Sequence, residues 1–438
     1  MVDTLAIEAD WETLQSGTPE ERACFAAIGI RHGKLWLTEA EDTLVNRVRN
    51  KVHLSAYRLA EWLAWNWWRL RWEPKTQPAD WGLAHRMATI GGGYIWPNIT
   101  VFSDGEQVFL AARPTMQRST EPLRYIADML AVVRASAFED AVDGFIAQAL
   151  GQLRDENLVG TNLEHLWEDV CAERADVLLS TRRKFEALLG FEPDQADPAV
   201  LDGLAADAQT LGVSAMSEVA ADHAPGGSVL TAAIIQDLAA SMGYDASPRN
   251  AVRLRSATHV PALGAVPAWQ RGAAAARALR DQERLRAAPI GNSRLANMAG
   301  VVAGVLTELT GGASLSFALD GNVTDSRVVL RSKWETGRRF ELARLLGDRI
   351  TSTPGECFFP AARWAGTYRQ KVQRSFAAEL LSPFEAVEEM LGGDFSEESQ
   401  IEVARHFDVS ELTIRTSLVN HGLIDRDALS MEMETVAA

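Results

Sequence analysis

The sequence has few cysteines, and they form no pattern. Cys24, Cys171 and Cys357 are the only three in 438 residues, and they lie far apart in the chain. An odd number at such wide spacing indicates neither a disulfide framework nor a cysteine-rich zinc site. Because unpaired thiols are typical of a reducing compartment, we expect the protein to be cytoplasmic.

Long apolar runs are also absent from the sequence. The N-terminus has no basic segment followed by an apolar one, and no stretch of about 18 uncharged apolar residues occurs in the chain. We therefore expect a soluble protein that is not exported and does not bind a membrane.

The sequence has fewer basic than acidic residues. The 43 Lys and Arg residues are outnumbered by 59 Asp and Glu residues, so the formal net charge is −16. Such a charge opposes nonspecific binding to nucleic acid, because phosphate binding draws on basic side chains. The eight histidines lack the spacing of metal ligands, and we expect each to be a surface or hydrogen-bonded core residue: His32, His53, His85, His165, His223, His259, His406 and His421.

What remains is the composition of an ordinary globular protein, with 47% hydrophobic and 23% charged residues. The patterns predict an α+β fold that is predominantly α-helical. We divide it into an α-rich N-terminal domain over 1–190 with a β-hairpin at 99–111, a helical or linker region over 191–265, a third domain over 266–383, and C-terminal helices with a tail over 384–438. The hairpin is predicted from two strand-like runs around Asp104-Gly105. The segments 224–227 and 247–261 have the composition of loops or a linker, and we place the domain boundary near 250–265.

A tryptophan-rich segment lies in the N-terminal domain. Residues 38–72 have a helical pattern, and the second half holds five of the 13 tryptophans. Aromatic and basic side chains together can stack bases or bind a ligand, which makes candidate binding residues of Trp62, Trp65, Trp68 and Arg69. However, apolar residues lie nearly all round this helix, a pattern more typical of a buried core helix.

The most informative stretch of the sequence runs from Trp334 to Pro383. Two short strand-like runs precede it, and from Phe340 the apolar residues fall at three- and four-residue spacing, which predicts a helix with one buried face. This helix reads R-R-F-E-L-A-R-L-L-G-D, and a second helical segment reads R-S-F-A-A-E-L-L-S-P.

These two segments resemble motifs of the ImmA/IrrE family of zinc-dependent metallo-endopeptidases. The matching residues of the first motif are Arg339, Phe340, Leu342, Ala343, Leu346 and Gly347, and those of the second are Phe376, Ala377, Ala378, Leu380, Leu381 and Pro383. The resemblance covers roughly residues 268–424. It implies a zincin-like α+β domain over 266–383 and a bacterial regulatory, mobile-element, stress-response or phage-defence setting.

The catalytic residues of that family do not match. Its H-E-x-x-H site places two zinc-binding His and a general-base Glu on one helical face. Here those three positions are Arg344, Leu345 and Asp348, in the sequence Arg344-Leu345-Leu346-Gly347-Asp348, and Val372 stands where the resemblance implies the third ligand. We therefore expect no catalytic residue, no metal and no cofactor at this site. Cys357 is a weak candidate nucleophile, because no neighbouring base is evident in the sequence.

Arg344 and Asp348 lie four residues apart, so their side chains share a helical face. We expect them to form an ion pair in the space of the lost metal, with Val372 packed nearby in place of the third ligand.

The C-terminal segment has the spacing of a helix-turn-helix. Val409 is expected to fill the turn and Ser410 to cap the second helix. From Ser396 to the end the sequence has nine acidic and three basic residues, and the second helix offers only Arg415 to a groove. A structural role is therefore favoured over DNA reading.

The leading hypothesis is a non-catalytic regulatory or interaction protein that acts by binding a protein partner. One alternative is a metallopeptidase or other hydrolase with a non-standard site. Another is a DNA-binding transcriptional regulator that uses its helix-turn-helix. The sequence identifies neither the partner nor the oligomeric state.

Overall fold

A computed structural model describes residues 4–75, 79–115, 122–223, 229–256, 258–308, 312–321 and 326–425. The chain divides into two compact units, Met1–Asp202 and Gly203–Ala438. The division lies earlier than the boundary predicted near 250–265, because much of 203–265 packs within the second unit. The predicted loop at 224–227 and the tail after 425 lie outside the described residues.

The first unit contains three antiparallel sheets in its described part. Their strands are β1 (Leu5–Glu12), β2 (Phe25–His32), β3 (Leu35–Trp36), β4 (Ala40–Asp42), β5 (Arg47–Arg49), β6 (Val52–Ser55), β7 (Ile99–Ser103), β8 (Gln107–Ala112), β9 (Leu123–Tyr125) and β10 (Met129–Arg134). One sheet has the order β1-β2-β3 with β6 also paired to β2, and the others have the orders β10-β8-β7 and β5-β4-β9.

Helices fill the space around these sheets. They are α1 (Pro19–Ala23), α2 (Ala56–Trp65), α3 (Trp67–Trp72), α4 (Ala79–His85), a 3₁₀ turn (Met87–Thr89), α5 (Ala135–Asp155), α6 (Asn162–Ala175) and α7 (Val177–Leu188). The division between the units falls within α8 (Pro198–Leu211).

The predicted hairpin at 99–111 is confirmed. Strands β7 and β8 pair with Ile99 opposite Ala112 and Ser103 opposite Val108. The turn is closed by Asp104, whose Oδ1 accepts hydrogen bonds from the backbone N–H of Glu106 and Gln107. Turn chemistry that acts over four residues is therefore readable without knowledge of the rest of the fold.

The prediction that the N-terminal domain holds little β-structure beyond this hairpin was wrong. The segment predicted to be helical from residue 38 contains β4, β5 and β6 before α2 begins. In β6 the side chains alternate, with Val52 and Leu54 buried and His53 exposed. Ser55 then starts the helix, because its side chain accepts a hydrogen bond from the N–H of Arg58.

The second unit has a small antiparallel sheet with the order β11-β13-β12-β14. Its strands are β11 (Tyr244–Asp245), β12 (Ser316–Leu319), β13 (Arg327–Val329) and β14 (Phe358–Ala361). Its further helices are α9 (Val213–Ala221), α10 (Ala232–Met242), α11 (Ala268–Gln282), α12 (Asn292–Ala299), α13 (Gly304–Thr307), α14 (Glu335–Thr351), α15 (Tyr368–Leu381), α16 (Phe384–Leu391), α17 (Glu397–Phe407) and α18 (Glu411–Asn420). The two units together confirm the α+β class.

Two glycines allow α15 to pack closely against α14 and α11. A Cβ at Gly347 of α14 would lie 2.4 Å from the ring of Phe376, and a Cβ at Gly272 of α11 would lie 2.3 Å from the carbonyl oxygen of Val372. A larger residue at either position would push the helices apart. The close contact brings the polar side chains of α14 and α15 together.

The helix pair predicted at the C-terminus is confirmed as α17 and α18. Asp408, between them, has the left-handed backbone conformation with φ 56°. Val409 is buried in the turn, and the Ser410 side chain accepts a hydrogen bond from the N–H of Thr413. Among the helices of the described residues, none combines the length and apolarity that a membrane span requires.

Candidate functional site

The positions that correspond to H-E-x-x-H lie in the interior of the second unit. Leu345 belongs to the apolar core, Arg344 is buried, and Asp348 is 0% exposed. The expected ion pair between Arg344 and Asp348 does not form, since each side chain is bonded to groups from other elements. That prediction was wrong, and the partners explain why.

Asp348 is paired with Arg369 of α15. Arg369 Nε and Nη2 donate to the two Asp348 oxygens at 2.8 Å each, and the Ser352 hydroxyl donates to Oδ1 at 3.1 Å. Arg369 also donates to Ser214 Oγ at 2.8 Å and lies 2.8 Å from the Glu356 carboxylate. Burial opposes the charge of Arg369, but the carboxylates of Asp348, Glu218 and Glu356 together outweigh burial and raise the pKa of the guanidinium.

Arg344 is bonded to neutral oxygens. Its Nη2 donates to the Ala362 carbonyl at 2.7 Å and to the side-chain oxygen of Gln370 at 2.6 Å, with that of Gln373 at 3.4 Å. Both glutamine side chains donate in turn to the Pro360 carbonyl at 3.0 Å. Burial lowers the pKa of Arg344, although a guanidinium keeps its proton at neutral pH.

Val372 was expected to pack beside Arg344 and Asp348 in place of a third ligand. It is buried in a separate cluster with Ala268 and Tyr368. Along α15 the residues that face the α14 site are Arg369, Gln370 and Gln373. The side chains that bond to Arg344 and Asp348 therefore come from positions of α15 other than Val372.

Helix α9 adds two acidic side chains to this polar cluster. Glu218 is buried and accepts a hydrogen bond from the Thr367 hydroxyl. Burial raises the pKa of Glu218, although the positive charge of Arg369 opposes that shift. At the end of the helix Asp222 Oδ1 accepts hydrogen bonds from the backbone N–H of Trp364 and Ala365.

The loop at 362–366 is held from several sides. Arg374 of α15 donates to the carbonyls of Ala362, Arg363 and Ala365 at 3.2, 2.9 and 3.1 Å. Arg344 and Asp222 bind the same loop through the contacts described above. At its centre the Trp364 side chain is 64% exposed, with the Arg363 guanidinium 4.2 Å from its ring. The polar cluster therefore fixes a loop that presents an indole to solvent.

No family model, no curated protein and no solved structure matches this chain. The family resemblance therefore depends on the motif residues alone.

Metal binding requires several donor side chains directed at one point. Across the described ranges there is no group of three or more His, Cys, Asp or Glu side chains that could hold a metal ion. At Asp348 both carboxylate oxygens already accept hydrogen bonds from Arg369. Arg344 and Leu345 supply no metal-ligand atom. The hydrogen bonds of these side chains join α9, α14, α15 and the loop at 362–366.

Cys357, the weak candidate nucleophile, and Arg415, the candidate DNA contact, each have a hydrogen-bond partner within the protein. The Cys357 thiol lies 3.7 Å from the Thr210 carbonyl, and burial raises its pKa, which disfavours the nucleophilic thiolate. In α18 Arg415 Nε donates to Gln400 Oε1 of α17 at 3.4 Å. This contact ties the helix pair together.

The four candidate binding residues of the tryptophan-rich segment divide into two groups. Trp68 and Arg69 are buried, with the Trp68 indole N–H bonded to Glu173 and the Arg69 guanidinium to Glu73. Trp62 and Trp65 line a cavity of about 260 Å³, and Trp65 is 58% exposed. The structure therefore does not bring the four residues into one site.

Sequence reasoning missed the residues that complete the polar cluster in the second unit. They are Ser214, Glu218, Asp222, Arg369, Gln370, Gln373 and Arg374. The polar residues in the first half of α15, among them Arg369, Gln370, Gln373 and Arg374, were the signal available in the sequence.

Proposed function

We propose that this chain is a non-catalytic protein that acts by binding a protein partner through the loop at 362–366. The proposal includes the bacterial regulatory, stress-response or phage-defence setting that the motif resemblance implies. In it, the residues at the peptidase-like positions have a structural role and hold the binding loop.

The observation that carries the proposal is the exposed indole of Trp364 on a braced loop. Tryptophan and arginine are enriched among the residues that contribute most of the binding energy at protein interfaces. A loop already fixed by Asp222, Arg344 and Arg374 loses little conformational entropy when a partner binds.

The proposal is tested with a matched pair of variants of the full chain. Trp364 and Trp334 are both exposed tryptophans of the second unit, 64% and 78% exposed, and Trp334 lies outside the loop. Wild-type protein is used to capture partners from the native host, and the affinity of a purified partner is then measured for Trp364→Ala and Trp334→Ala. We expect Trp364→Ala to weaken binding by about 2 kcal/mol or more, and Trp334→Ala to leave it unchanged.

Two results would contradict the proposal. Equal partner binding by wild type and Trp364→Ala would exclude the loop as the binding surface. Zinc-dependent cleavage of a captured protein by wild type would instead favour the alternative of a peptidase with a non-standard site.

A further inference from the structure

The cavity beside α2 has a mixed lining of flat aromatic, apolar and polar groups. It lies within the first unit and has a volume of about 260 Å³. The lining residues used below are Arg58, Glu61, Trp65, Asn66, Ile90 and Leu166. The volume lies just under the roughly 300–1,000 Å³ typical of sites for drug-sized ligands, so a small occupant is indicated.

Its apolar part suits a planar ligand. Trp65 is 58% exposed although its neighbour Trp62 is only 8% exposed. Ile90 and Leu166 are half-buried and line the same cavity. A free indole face beside an apolar wall is the arrangement on which heterocyclic bases stack.

Its polar part supplies a hydrogen-bonding edge. Asn66 is only 6% exposed, and its Nδ2 donates to the Trp62 carbonyl at 2.9 Å. Within the described part of the chain its Oδ1 accepts no hydrogen bond. The amide therefore keeps an acceptor and a second N–H for a ligand, the pair of groups with which Asn contacts the edge of adenine.

The charges around the cavity favour a neutral ligand. Arg58 Nε is bonded to the Glu21 carboxylate, which offsets its charge. Arg58 also packs against Gly92, where a Cβ would lie 2.5 Å from Nε, so the guanidinium is fixed in place. Glu61 accepts a hydrogen bond from the neutral Asn162 amide at 2.9 Å and adds a negative charge to the lining. A phosphate group would meet this unbalanced carboxylate.

We propose that this cavity binds an uncharged nucleoside, with its base stacked on Trp65 and its polar edge bonded to Asn66. The inference is independent of the protein-binding role of the second unit. It gives the first unit a small-molecule binding site.

The test uses the full chain, with adenosine, guanosine and AMP as probes in calorimetric titrations. We expect adenosine or guanosine to bind with a Kd tighter than about 1 mM. Base stacking on an aromatic side chain predicts that Trp65→Ala weakens this binding roughly 5- to 100-fold, whereas Trp65→Phe retains most of it. The control Trp334→Ala, an exposed tryptophan of the other unit, should bind like wild type.

Three outcomes would overturn the proposal. The first is the absence of saturable binding of either nucleoside up to about 1 mM. The second is equal binding by wild type and Trp65→Ala. The third is tighter binding of AMP than of adenosine, which would show that the site selects an anion.

Discussion

Asp348→Asn tests the buried ion pair at the centre of the second unit. The substitution keeps the shape of the side chain but removes the charge that Arg369 contacts through two hydrogen bonds of 2.8 Å. Asp348 is fully buried and the Arg369 side chain is only 14% exposed, so solvent cannot replace the lost charge.

The expected loss of stability depends on the interactions that Arg369 keeps when Asp348 is replaced. Removing one partner of a buried pair typically costs about 3–5 kcal/mol, because the other charge stays buried. Here the Glu356 carboxylate remains 2.8 Å from Arg369 and offsets part of the loss. We therefore expect Asp348→Asn to lower the free energy of unfolding by about 2–4 kcal/mol.

The assay is urea unfolding followed by circular dichroism, with Asp245→Asn as a matched control. Asp245 pairs with Arg327 at 2.7 Å, but its side chain is 88% exposed. The control should therefore cost less than about 1 kcal/mol. If the two substitutions lower the unfolding midpoint equally, the reasoning about a buried pair at Asp348 is refuted.

A double-mutant cycle identifies the partner of Asp348. We expect a coupling energy of about 1–3 kcal/mol between Asp348→Asn and Arg369→Gln, and less than about 0.5 kcal/mol between Asp348→Asn and Arg344→Gln. A larger coupling energy with Arg344→Gln than with Arg369→Gln would instead support the Arg344–Asp348 ion pair expected from the sequence.

Three further predictions concern the rest of the second unit. Val409→Asp should destabilise the C-terminal helix pair by about 3 kcal/mol, seen as an earlier unfolding transition, because it buries a charge in an apolar turn. Glu218→Gln should flatten the pH dependence of stability. The raised pKa of Glu218 makes the native state hold its proton above pH 4.5, so the stability of the wild type falls as pH rises from there through the native pKa. An unchanged slope in the variant would contradict this. In a salt-dependent shift assay, the wild type and Arg415→Ala should both fail to bind DNA, and operator binding lost only in the variant would establish the regulator alternative.

The features that could be predicted from the sequence are those decided by neighbouring residues. The hairpin at Asp104-Gly105 and the capped turn at Val409-Ser410 each depend on side chains that bond within four positions. The existence of α14 and α15 was likewise readable from apolar spacing. Such patterns are satisfied locally whatever the rest of the chain does.

Features that depend on distant residues could not be predicted in this way. The partner of Asp348 is 21 residues away, although Arg344 is nearer in sequence and shares its helical face. Short strands such as β4 and β5 offer few residues for a pattern. The pairing of β4 with β9 joins residue 40 to residue 125. Sequence spacing favours partners that are near in the chain, whereas packing in the folded protein joins residues that are distant in the chain.

The hydrogen-bond partners of Arg344 explain why a buried arginine can lie at a position that the motif resemblance assigns to a zinc ligand. A buried guanidinium requires acceptors, and here they are the Ala362 carbonyl and two glutamine side chains. The Ala362 carbonyl also accepts from Arg374, so two arginines converge on one end of the loop that presents Trp364. An ion pair within α14 would have left this carbonyl with one fewer donor. The contacts of Arg344 thus hold the loop, and they are the physical basis for proposing that α14 supports a binding surface.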